Sequence, residues 1–117
     1  MKNLTTVFYD LIDNGYIYEI DEDGYNMSYG EYVAIQDYFY ETIIEEINNE
    51  INYNTTKAEL AMLLSEILNT ADDDTLLYAG YTDYYIDYDT DTNTVETDNI
   101  DFDSIVSEIE YLGHEVE

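Results

Sequence analysis

The sequence predicts an α+β fold: one domain over residues 1–117, with about four helices packed on a small antiparallel sheet or hairpin. Three observations carry this. Four segments space their apolar residues as helices do. One segment, "DYYIDYDTDTNTVETD", alternates apolar and polar residues about a turn-rich centre. Hydrophobic residues make up 45% of the 117, enough for a core in one compact domain.

The elements follow in order. Leu4, Val7, Phe8, Leu11 and Ile12 make the i, i+3, i+4, i+7, i+8 stripe of an amphipathic helix, with Gly15 as its left-handed cap. "YIYEID" (16–21) reads as a short strand and "DEDG" (21–24) as a turn. Ser28 to about Ile51 reads as a long helix, with Tyr32, Ile35, Phe39, Ile43, Ile47 and Ile51 on its buried side. "TTKAELAMLLSEIL" (55–68) is the clearest helix. Thr56 and Glu59 form a capping-box pattern, and Leu60, Leu63, Leu64, Ile67 and Leu68 form its stripe. "NTADDD" breaks it. "TLLYAGY" and the alternating segment then suggest a hairpin that turns near "DTDTN". Phe102, Ile105, Val106, Ile109 and Leu112 mark a last helix, ended by Gly113.

Charge dominates the composition. Twenty-nine acidic residues face two basic ones, Lys2 and Lys57, for a net charge of −27. Self-repulsion at that level destabilises a compact state, and solubility alone asks for a net charge of only about 2 to 8. A disordered acidic tail would be poor in aromatic residues, whereas this chain is 15% aromatic, mostly tyrosine.

Two rows concentrate the acids. If Asp83 to Asp91 is extended, Tyr84, Ile86 and Tyr88 face the helices, while Asp83, Tyr85, Asp87, Asp89 and Asp91 face water. On the long helix, Asp37, Glu41 and Glu45 fall at i, i+4, i+8. An acid at each i+4 position costs about 0.2–0.5 kcal/mol per pair, where a lysine would stabilise. The arrangement has the wrong sign for a stability device.

Several chemistries lack their residues. Without cysteine there is no disulfide and no thiol chemistry. Zinc normally takes several His or Cys ligands, and the chain has one histidine, His114, read as a solvated residue of the tail "GHEVE". There is no Gly-rich phosphate loop, and with 29 acids, carboxylate pairs arise by chance. The expectation is a non-enzyme without cofactor or metal. Asp87, Asp89 and Asp91 match positions 1, 3 and 5 of a calcium-binding EF-hand loop, but Thr92 stands where that loop needs Gly and Asp98 where it needs Glu. The N-terminus lacks a signal-peptide core, and no apolar run approaches the roughly 20 residues of a membrane span. A cytoplasmic protein that binds neither membrane nor nucleic acid directly is expected.

The charge has a natural counterpart. Duplex DNA carries one negative charge per roughly 1.7 Å, so 27 charges equal roughly 46 Å of duplex. A compact chain of this length is expected to be roughly 35 Å across. A basic channel made for phosphates would bind such a surface, with arginines stacking on tyrosines such as Tyr85. In size, in its lack of cysteine, and in acids spread through every element, the whole chain resembles the phage and mobile-element DNA mimics. These include Ocr-type and ArdA-type anti-restriction proteins, acidic anti-CRISPR proteins and uracil-DNA glycosylase inhibitors. "EYVAIQDYFY" and the acidic helix it opens are similar in character to ArdA-type sequences. The resemblance is compositional and carries over no site residues. It implies a stoichiometric inhibitor of a host defence nuclease, CRISPR or restriction-modification, that fills the nucleic-acid groove. The acids expected to make the contact are Asp83, Asp87, Asp89, Asp91, Asp37, Glu41 and Glu45, with Tyr85 as a stacking partner. A homodimer would lengthen the charged surface. The alternatives are a solvated surface without a partner, an acidic binding or chaperone module for a basic protein, and a calcium-dependent structural module.

Overall fold

Asn3 opens the first helix in the computed structural model, which describes residues 2–14 and 29–117. Its side-chain oxygen accepts the Thr6 N–H, and α1 runs Leu4–Asp13 with Leu4, Phe8 and Leu11 buried. Gly15, the strand expected at 16–21 and the turn at 21–24 lie outside the described residues. α2 spans Tyr29–Glu50 and buries Ile35, Phe39, Ile43, Ile44 and Ile47. Tyr32 and Ile51, at the ends of the expected stripe, are only half-buried.

α3 (Lys57–Leu68) follows a two-residue strand, β1 (Asn54–Thr55). Thr56 caps it, accepting the Glu59 N–H at 3.1 Å. The Glu59 carboxylate takes the Thr55 hydroxyl, also at 3.1 Å. All five expected stripe leucines and isoleucines of α3 are buried.

"TLLYAGY" corrects the expectation. It belongs to a helix, α4 (Asp73–Ala79), rather than to the hairpin. The cause is local. The Asp72 carboxylate accepts both the N–H and the hydroxyl of Thr75, at 2.8 and 2.6 Å. Asp73 and Asp74 then occupy the first turn, where acids suit the helix dipole. Gly80 closes the helix at φ 86°, a left-handed conformation that glycine adopts without strain.

Asp72 also ties α4 to α1, because its N–H bonds the Thr5 hydroxyl and its carboxylate accepts from Tyr9. The Thr75 hydroxyl bond holds the Asp72 carboxyl below its ordinary range, against a smaller opposing effect of burial. A group with a lowered folded pKa stabilises the fold above its unfolded pKa of about 3.9, and this contribution fades as the pH falls through the folded value. Asp72→Ala should therefore cost about 0.5–2 kcal/mol at neutral pH. The gap between parent and variant urea midpoints should narrow below about pH 4. An equal gap at pH 7 and pH 2 would refute the charge-assisted cap.

The hairpin forms as expected, from β2 (Tyr85–Asp89) and antiparallel β3 (Thr94–Asp98), joined by four loop residues. Asn93 takes φ 50° in that loop and accepts the Tyr88 hydroxyl at 2.8 Å. Tyr84, Ile86 and Val95 pack toward the core, with the hairpin over α3. Asp101 caps α5 (Phe102–Tyr111) through the Ser104 N–H and hydroxyl, which also lower its carboxyl pKa. Gly113, at φ 102°, ends α5. Its N–H bonds the Glu110 carbonyl and the next N–H bonds that of Ile109, the paired closure of a Schellman turn.

The tail beyond Gly113 is docked, not free. β4 (Glu115–Val116) pairs in parallel with β1. The His114 ring lies between the Asn52 carbonyl at 2.8 Å and the Asn48 side chain at 2.6 Å. It is half-buried, which corrects the reading of a solvated residue. A backbone carbonyl only accepts, so Nδ1 carries a proton in this arrangement.

The fold is α+β: five helices, an antiparallel hairpin and a short parallel pair among the described residues. α2 packs against α3, α4 and α5, which puts Phe39 and Ile43 near the centre of the core. The molecule is elongated, 48 × 25 × 23 Å, longer than the sphere expected from chain length. Among the described residues no helix is long and apolar enough to cross a membrane.

Candidate acidic interface

Hairpin geometry decides what happens to the first acidic row. Only Tyr85, Asp87 and Asp89 lie in β2, and all three are exposed. Asp83 lies before the strand in a turn at φ 55°, and Asp91 lies in the loop, where its N–H bonds the Asp89 carboxylate at 2.9 Å. The even row of five expected from Asp83 to Asp91 is therefore a strand row of three.

Register restores what the row loses. Directly opposed residues of an antiparallel pair share a face, with Cβ atoms about 4.5–5.5 Å apart. Asp87 pairs with Glu96 and Tyr85 with Asp98. The outer face of the hairpin thus presents Asp87, Asp89, Glu96 and Asp98 around Tyr85. The charge of Asp87, then desolvation, then the charge of Glu96 push the Tyr85 phenol pKa up. Like charges directly opposed destabilise a sheet, and no lysine or arginine occurs between Tyr85 and Asp98 to offset them. Glu96 and Asp98 are not visible in a row followed along one strand, because only the register brings them onto this face.

The second row is intact. Asp37, Glu41 and Glu45 are all exposed along α2. Glu46, one residue on, turns inward and accepts the Lys2 backbone N–H at 3.0 Å. Glu41 and Glu45 line a groove between α2 and α5 together with Tyr40, Ile44 and Asn48 of α2, Glu108 of α5 and Leu112 just beyond it. Beyond Tyr40 and Glu108 the surface continues to Asp101 and Asp103. Burial, then the nearby charges of Glu108 and Asp101, raise the Tyr40 phenol pKa. The two rows sit on different elements, with α3 packed against both the hairpin and α2.

The tyrosines divide in two. Tyr32, Tyr84 and Tyr88 are half-buried, and their hydroxyls bond Leu77, Asn69 and Asn93. Tyr78 stacks on Phe8 at 5.7 Å. Burial lifts the Tyr81 phenol to about 12. Tyr78, Tyr81 and Tyr84 pack against the core with an apolar body and a polar tip. Among the described residues Tyr9, Tyr38, Tyr53, Tyr85 and Tyr111 remain exposed.

The calcium spacing has another explanation here: Asp87, Asp89 and Asp91 belong to a hairpin rather than to a loop between two helices. Among the described residues no group of three or more His, Cys, Asp or Glu side chains could hold a metal ion. The described residues hold 25 acids and two lysines, a net charge of −23, which over the 48 Å long axis is one per about 2.1 Å, beside about 1.7 Å for duplex DNA. Compared with family models, curated proteins and solved structures, the chain matches none.

Proposed function

We propose that the protein is a nucleic-acid mimic, a stoichiometric inhibitor that occupies the phosphate-binding groove of a basic host protein. A CRISPR or restriction nuclease is the class of target that the compositional resemblance favours. The observation that carries the reading is the gathering of like charges at two separate places: Asp87 directly opposite Glu96 on the hairpin, and Glu41, Glu45 and Glu108 lining one groove between α2 and α5. Each gathering works against the fold, so selection for stability alone does not account for it. A partner rich in lysine and arginine would convert the same repulsion into binding, helped by counterion release. An acidic chaperone for basic proteins shares these electrostatics but would hold many basic proteins rather than one nuclease complex.

The test is capture with competition. Tagged protein is incubated with lysates that carry restriction or CRISPR systems and eluted on a salt gradient, with and without duplex DNA. Mimicry predicts that one nuclease complex is retained and that added duplex displaces it. Retention of assorted basic proteins regardless of DNA would overturn the proposal and leave the chaperone reading.

A further inference from the structure

We infer that the groove between α2 and α5 is the seat for an arginine side chain of the protein's basic partner. This rests on the reading of the protein as a mimic and says where its contact is anchored. The groove differs from the hairpin face in having apolar surface beside its charges. Ile44, 8% exposed, and Leu112, 47% exposed, supply that apolar surface. A long cationic side chain lays its methylene stem on such a surface and keeps its charged head at the polar edge.

The head group finds carboxylates from two helices. Glu41 and Glu45 are one helical turn apart on α2, and Glu108 stands on α5. The planar guanidinium donates from several edges at once and pairs bidentately with carboxylates, which a lysine ammonium cannot do. Tyr40 adds an aromatic wall, a surface on which guanidinium stacks. No lysine or arginine lines the groove, so its charge has no counterpart within its own walls. The volume, about 270 Å3, falls below the roughly 300–1,000 Å3 of small-molecule sites. It has room for one long side chain.

Acids alone would attract any cation anywhere on this protein. The groove adds apolar surface and an aromatic ring beside the carboxylates, the kinds of surface that an arginine side chain uses. Leu112 supplies part of that surface because the α5 closure at Gly113 leaves it outside the core.

The test uses N-acetyl-arginine methylamide as the probe, with the norleucine analogue as control, in an NMR titration of the whole protein. The Ile44 and Leu112 methyl signals should shift saturably with arginine and not with norleucine. The triple variant E41Q/E45Q/E108Q should weaken the interaction about tenfold or more. The triple variant D87N/E96Q/D98N removes the same charge from the hairpin and should change it less than about twofold. Urea midpoints at or above the parent's are expected for both, since each relieves repulsion, and would show that they fold. Equal weakening by the two triples, or shifts spread over hairpin and helices alike, would overturn the seat. Either result leaves the mimic reading standing if duplex DNA still displaces the captured partner. Loss of that displacement with the groove shifts intact would overturn the mimic reading instead.

Discussion

Between about 50 and 200 mM salt, the proposed mimicry predicts that affinity for a basic partner falls by roughly three to five orders of magnitude. The figure is borrowed from proteins that neutralise about six to ten DNA phosphates, because under the proposed reading the carboxylates stand in for those phosphates. The mechanism is displacement of counterions held near the acidic surface, so log Kd should rise linearly with log salt. A wider body holds counterions less tightly than a thin duplex, so the slope should be no steeper than that of DNA bound to the same partner. Titration by fluorescence anisotropy at several salt concentrations gives both slopes. Charge reversal of a whole row, Asp37, Glu41 and Glu45 to lysine, should weaken binding strongly and flatten the slope together. A single reversal should do little, because the remaining charges still supply most of the field. An affinity indifferent to salt would mean that apolar contact holds the complex, and the acids would need another explanation.

The parts of this arrangement that were legible in the sequence are those that depend on one element at a time. Helical periodicity placed every buried leucine and isoleucine of α3, and alternation placed Tyr84, Ile86 and Tyr88 inward with Tyr85, Asp87 and Asp89 outward. The α4 segment failed because seven residues are too few to show a period. Its real signals were the cap at Asp72 and the glycine at 80. What lay beyond reach was pairing. That Glu96 and Asp98 join the hairpin's acidic face follows from register, which the four-residue loop determines. That Glu108 lines one groove with Glu41 and Glu45 follows from α5 packing on α2, which no single helix announces. Leu112 belonged to the expected stripe of α5 but lies partly outside, because the helix stops at Tyr111 and Gly113 turns the chain away toward β4. A row read along one chain segment is therefore half of a surface, and the other half comes from whatever the fold sets beside it.

Phe39→Ala should remove most of the stability that the charge leaves. Phe39 is fully buried on α2, its ring 6.4 Å from that of Phe8, on the helix that packs against α3, α4 and α5. Truncating such a phenylalanine costs about 3–5 kcal/mol, from lost burial and the cavity left behind. A typical domain has only about 5–15 kcal/mol in total, and the repulsion among 29 acids lowers that further. The variant should thus lie near its unfolding midpoint in low salt. Urea is the right denaturant, since guanidinium is itself a salt and would screen the repulsion being measured. Raising sodium chloride from about 0.1 to 1 M shortens the screening length from about 10 to 3 Å. It should raise the urea midpoint of parent and variant alike, and should partly rescue the helical signal of Phe39→Ala. Tyr111→Ala, at a residue 86% exposed, should move the midpoint by no more than about 0.5 kcal/mol equivalent. If the two substitutions cost the same, α2 does not carry the core. If salt leaves both midpoints where they were, the carboxylates are not straining the fold, and the physical ground for reading them as a surface kept for a partner is gone.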